Sequence, residues 1–135
     1  MSVGTREVEQ QREKILVVDD NEATLKLVSL VLLPRGYEVR HAYSAEEALT
    51  AIEKEYPDLL LIDLSLPGPG GLSLARTLKS ELGTRDLVIV GLSERELGRE
   101  EHQHALDSGC SGYFAKPLDV STLAEAIARY LPLRS

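Results

Sequence analysis

Five polar side chains stand where apolar runs break off. Asp19 and Asp20 follow residues 15–18, Asp63 closes the run DLLLID at 58–63, Ser93 follows residues 87–92, and Lys116 follows residues 111–115. Carboxylates brought to one place repel each other: two unit charges 4 Å apart cost roughly 4 kcal/mol at an effective dielectric near 20. Such a group either takes up protons or holds a cation. Oxygen-only donors, few and open to water, suit Mg²⁺ better than Zn²⁺, and Ca²⁺ wants a fuller oxygen cage. Lys116 and Ser93 add complementary chemistry, a cation and a hydroxyl.

Taken singly, each residue has a plainer role. Asp19 or Asp20 could cap the helix that follows, Lys116 could be a solvated surface lysine, and Ser93 an ordinary loop residue or cap. Asp58 reads as a turn residue, and His41, His102 and His104 as solvent-facing groups with no part in metal binding. What favours a site is that the first group falls at the same end of one sheet.

The elements that must do this positioning follow from the pattern. Residues 15–18 (ILVV) and 58–63 are apolar at nearly every position, as strands buried on both faces of a parallel sheet are. Residues 37–42 read as a less apolar edge strand, 87–92 as a fourth strand and 111–115 as a fifth. Between them lie helices. One runs over 21–33, with Leu27, Leu30 and Val31 on one face and Pro34 and Gly36 closing it. Ser44 and Glu47 have capping-box spacing for a helix to about residue 54. The turn at residues 67–71 leads into a helix carrying Leu74, Leu78 and Leu82, residues 95–108 form a charged fourth helix, and Asp119 caps a fifth facing inward through Leu123, Ile127 and Leu131. Five strands alternating with five helices give the α/β class, a doubly wound parallel sheet. In such sheets ligands bind beyond the carboxyl ends of the strands, where the five polar groups stand.

Composition narrows the function classes. The 135 residues hold 15 Lys and Arg against 22 Asp and Glu, a net charge of −7 that disfavours general binding to nucleic acid or anionic membrane. The 43% apolar content suffices for one core, and the length for one domain, residues 14–135. Residues 1–13 are polar and read as a mobile tail or a frayed helical lead-in. They lack the apolar stretch of a signal peptide, and the longest apolar runs, 28–33 and 59–62, are far short of a membrane span. A cytoplasmic chain is expected. Cys110, the single cysteine, reads as a small buried residue.

In their order along the chain these residues resemble the receiver domain of two-component response regulators. The segments that carry the likeness are Ile15-Leu16-Val17-Val18-Asp19-Asp20-Asn21, Asp58-Leu59-Leu60-Leu61-Ile62-Asp63, Pro67 with Gly71, Ser93, Gly109, and Ser111-Gly112-Tyr113-Phe114-Ala115-Lys116-Pro117. The resemblance implies a flavodoxin-like strand order 2-1-3-4-5. It implies that Asp63 accepts a phosphoryl group from a phosphohistidine on a sensor histidine kinase or a histidine phosphotransfer protein. Asp19, Asp20, Asp63 and the backbone carbonyl of Ser65 would hold Mg²⁺, for which Mn²⁺ could substitute. Lys116 would neutralise the phosphoryl oxygens, Ser93 would donate to one of them, and Tyr113 would turn inward as the signal emerges on the face of helix four, strand five and helix five. Lys116-Pro117 is the expected cis peptide. A downstream protein would read that face, with a homodimer allowed, no direct nucleic-acid contact, and no DNA-binding domain within this length.

Three departures from the commonest pattern stand out. Glu94 follows Ser93 where a small residue is usual, and its bulk and charge are expected to slow phosphoryl or water access. Ser65 and Arg95 occupy places that tune hydrolysis in the family, and no acidic residue precedes Gly71. Rival readings are a receiver-like module that no longer cycles phosphate and an aspartyl-nucleophile phosphohydrolase. The latter resembles haloacid dehalogenases, which carry a second Asp where Ser65 stands. A flavodoxin-like cofactor binder is a third, and Asp19-Asp20-Asn21-Glu22 would repel its phosphate.

Overall fold

A computed structural model of the chain describes residues 12–68 and 70–131. Most of the expected polar tail, residues 1–11, lies outside the described residues, as does Pro69 of the turn before the third helix.

Five strands form one parallel sheet in the order β2-β1-β3-β4-β5. They are β1 (Lys14–Val18), β2 (Glu38–Ala42), β3 (Leu59–Asp63), β4 (Val88–Ser93) and β5 (Gly112–Ala115). The helices are α1 (Glu22–Leu32), α2 (Ala45–Lys54), α3 (Gly70–Ser80), α4 (Arg99–Asp107) and α5 (Val120–Tyr130), with a short 3₁₀ turn at Leu33–Arg35. Successive side chains of a strand point to opposite faces, and the apolar runs divide accordingly. Ile15, Val17, Leu59, Leu61, Val90 and Leu92 meet α1 and α5 through Leu25, Val28, Leu32, Leu123, Ala124 and Ile127. Leu16, Val18, Leu60, Ile62 and Ile89 meet α2, α3 and α4 through Ala48, Ile52, Leu74, Leu78 and Ala105. The central strands have no polar face because both sides are covered. The parallel, doubly wound α/β sheet read from the sequence is the fold present.

Several local expectations differ from the structure. On α1 the inward residues are Leu25, Val28 and Leu32, whereas Leu30 is exposed and Leu27 only half-buried. Leu82 lies beyond the end of α3 and is 80% exposed. The fourth helix starts at Arg99, not residue 95. Residues 95–97 are tied outside any helix: the Ser93 hydroxyl donates to the Arg95 carbonyl at 2.6 Å, and the Leu97 N–H donates to the Tyr113 hydroxyl at 3.0 Å. Asp58 does more than turn the chain: its N–H and one carboxylate oxygen bond the Lys14 carbonyl at 2.8 Å and the Lys14 N–H at 2.7 Å, extending the β1–β3 pairing. Ser44 caps α2 as expected, its hydroxyl accepting the Glu47 N–H at 3.1 Å. Glu47 reaches back to the Tyr43 N–H at 2.9 Å, one residue earlier than in the usual box.

No helix among the described residues is long and apolar enough to cross a membrane. Cys110 is buried, and burial pushes its thiol up to about 11. His41, His102 and His104 are exposed; His41 shares a 2.7 Å hydrogen bond with Ser29, and the His102 ring stands edge-on to Tyr113.

Candidate functional site

The sheet register brings the five polar groups together. Val18 pairs with Ile62, Asp63 with Leu92 and Ser93 with Ala115, so the chain leaves the sheet at Asp19, Leu64, Glu94 and Lys116 along one edge. Backbone bonds carry the pairing just past the strand ends, from the Asp19 N–H to the Ala42 carbonyl at 3.1 Å and from the Lys116 N–H to the Ser93 carbonyl at 2.7 Å. The bond between Lys116 and Pro117 is cis.

Asp19, Asp20 and Asp63 each place a carboxylate oxygen within 4.8 Å of the others. Asp19 and Asp63 are buried, at 0% and 3% exposure, while Asp20 faces solvent. None of the three caps α1. That task falls to Asn21, whose side-chain oxygen accepts the Ala23 N–H at 2.9 Å. Asp19 Oδ1 accepts the Asn21 N–H at 2.9 Å, and Asp63 Oδ1 accepts the Ser65 N–H at 2.9 Å. Burial raises the Asp63 pKa above the ordinary aspartate value; the Ser65 N–H works against that rise and the Asp19 charge adds to it.

Lys116 Nζ lies 2.9 Å from Asp19 Oδ2 and 3.1 Å from Glu94 Oε1. Burial works to lower the pKa of this lysine, but Asp19, Glu94 and Asp63 outweigh it and raise the value. Asp19 Oδ2 is buried, and its one close partner among the described residues is the Lys116 ammonium. Three carboxylates within reach of one another, two buried and one open to solvent, with a single lysine among them, fit a hard divalent cation of the Mg²⁺ kind.

Beside this cluster, residues 94–98 form a tethered loop. Ser93 Oγ holds the Arg95 backbone, and the Arg95 guanidinium makes a two-pronged pair with Glu101. Glu101 also accepts the Gly98 N–H at 3.1 Å, starting α4. The Tyr113 hydroxyl takes the Leu97 N–H and donates to Glu96 at 3.2 Å. The Arg95–Glu101 clamp and the Glu94–Lys116 pair escaped the reading of the sequence. The first spans a helix start that the charge pattern hid, and the second joins residues 22 positions apart.

The family model of the response regulator receiver domain matches residues 15–128. Sporulation initiation phosphotransferase F of Bacillus subtilis is 32% identical over 124 residues, covering 91% of this chain and 97% of that protein. The polar-differentiation response regulator DivK of Brucella ovis is 30% identical over 119 residues, covering 88% of this chain and 96% of its own. Among solved structures, the chemotaxis response regulator CheY4 of Vibrio cholerae superposes with a TM-score of 0.83 at 28% identity, covering 90% of this chain and 100% of that one. With the same sheet order and an acidic cluster at its carboxyl edge, the chain belongs to the response regulator receiver domains, the signal-receiving modules of two-component systems.

Proposed function

We propose that the chain accepts a phosphoryl group on Asp63 from a phosphohistidine of a sensor histidine kinase or histidine phosphotransfer protein. The observation that carries this reading is the company Asp63 keeps. It is buried, one oxygen is already held by the Ser65 N–H, and it shares its end of the sheet with Asp19, Asp20 and a fixed lysine. The other oxygen of Asp63 would attack phosphorus in line. A P–O bond forms as the P–N bond to the donor imidazole breaks, and the electron pair leaves with the imidazole. Lys116 neutralises charge on the transferring oxygens, and the Ser65 N–H keeps the acceptor carboxylate oriented. Asp19, Asp20, Asp63 and the Ser65 carbonyl would hold Mg²⁺, or Mn²⁺ in its place. Once bound, the cation offsets the like charges that otherwise keep two anions apart. The module is a signalling domain rather than a conventional enzyme, its turnover limited to slow self-hydrolysis of the acyl phosphate.

The output follows from contacts already described. A phosphoryl group adds acceptor oxygens and charge. The Ser93 hydroxyl, now spent on the Arg95 carbonyl, turns to one of these oxygens and releases Arg95. Tyr113, bound through its hydroxyl to residues 96 and 97, moves with the loop, and the face of α4, β5 and α5 changes for a downstream protein. Incubation with a small phosphodonor and Mg²⁺, followed by intact mass, tests the assignment. One added phosphoryl group is expected on the wild type and none on Asp63→Asn; a mass increase that survives in Asp63→Asn overturns the assignment.

A further inference from the structure

We propose that Glu94 is a built-in counter-ion: its carboxylate holds the Lys116 ammonium in the unmodified protein, and the phosphoryl group must displace it. Lys116 is paired with Asp19 and Glu94, and with no third carboxylate among the described residues. The two partners differ in freedom. Asp19 is fully buried and anchored by the Asn21 N–H, whereas the Glu94 side chain is 63% exposed and makes no other bond to a described residue. The Lys116 side chain is itself only 11% exposed, and Glu94 is the more exposed of its two partners. A tetrahedral oxyanion on Asp63 then competes with Glu94 for the same donor.

Displacement also has a route outward. The Glu94 backbone lies between Ser93, whose carbonyl accepts the Lys116 N–H, and Arg95, which is clamped to Glu101. Losing the Lys116 contact frees one end of the tethered loop at the moment its Ser93 hydroxyl is drawn away. Glu94 thus acts through Lys116 as a positioning residue, by its charge and not by its size.

The consequence for phosphoryl uptake rests on Asp63 being the acceptor; the Glu94–Lys116 pair does not. The test therefore has two readouts on wild type, Glu94→Gln and Glu94→Ala. The first is the ¹³Cε and ¹⁵Nζ resonances of Lys116 without metal or donor, which both variants are expected to move. The second is binding of beryllofluoride, a phosphoryl stand-in, with Mg²⁺, followed by amide NMR. Both variants are expected to bind it about 1.4-fold to fivefold more tightly, the range for loss of an exposed competing ion pair. Unmoved Lys116 resonances overturn the counter-ion. Relief in Glu94→Ala with Glu94→Gln behaving as wild type overturns it in favour of bulk alone, and unchanged or weaker binding in both removes the competition. If no form binds beryllofluoride, displacement by the phosphoryl group is refuted together with the acceptor assignment, and the Lys116 resonances alone decide whether the pair exists.

Discussion

Gly71 lies so close to Asp63 that a Cβ on it would sit 2.2 Å from the Asp63 backbone carbonyl oxygen. The first turn of α3 is thereby seated on the end of β3, and the Asp63 backbone has a wall behind it. The atom in the way is backbone, which cannot rotate aside. Gly71→Ala should destabilise the fold by about 1–3 kcal/mol, the usual range for overpacking, and should also slow modification by a small phosphodonor. Urea unfolding beside a phosphorylation time course checks both; wild-type stability would mean that α3 moves freely against β3.

The raised pKa of Asp63 gives a pH dependence with a definite sign. Burial is the main cause, with Asp19 adding to it. A carboxyl whose folded value lies above its unfolded value leaves stability intact below the unfolded value, near 4, and removes it as pH rises through the folded one. Above the folded value, ionised Asp63 therefore weakens the metal-free fold. Asp63→Asn should be more stable than wild type there. The gap should close as pH falls toward 4. Thermal melts across that range in a chelating buffer are the check.

Mg²⁺ should act on the same imbalance from the other side. A ligand that binds only the folded state stabilises it by about 2.7 kcal/mol at a hundred times its Kd. Millimolar Mg²⁺ is expected to raise the Tm of the wild type, and to do so far less in Asp20→Asn, whose side chain is exposed and reaches into the carboxylate cluster. A Tm indifferent to Mg²⁺ in the wild type would remove the cation from the reading.

Tyr113→Phe deletes one hydroxyl and, with it, the acceptor for the Leu97 N–H. A net hydrogen bond is worth about 0.5–1.5 kcal/mol, so exchange of the Leu97 amide should accelerate by up to about tenfold. Ser93→Ala removes a different tether of the loop and leaves that bond in place, which makes it the control. Amide exchange by NMR separates the two, and equal protection in Tyr113→Phe would show that the loop does not depend on β5.

The core strands and the residues at their ends were legible because one physical demand wrote both. A strand covered on both faces must be apolar throughout, so its first polar residue marks the edge where chemistry can begin; Val18 to Asp19 and Ile62 to Asp63 are such steps. Helix faces were less legible where apolar residues were too many. On α1, Leu25, Leu27, Val28, Leu30, Val31 and Leu32 support more than one stripe, and only the sheet beneath selects Leu25, Val28 and Leu32. The start of α4 was hidden for another reason. Its charges suit a helix, but Ser93 and Tyr113 tie residues 95 and 97 to β4 and β5, and the Tyr113 tether comes from 16 residues further along the chain.

Every residue of β3 is buried, the proposed acceptor Asp63 included. Beyond that one carboxylate, the strand thus offers another protein almost no surface to read. Whatever distinguishes one partner from another must be carried by helices and loops whose side chains the strand does not need. Address and reaction are therefore separable in this chain: outward-facing positions of α1, α4 and α5 can drift to suit a new correspondent, while the carboxylate they serve stays where the sheet put it.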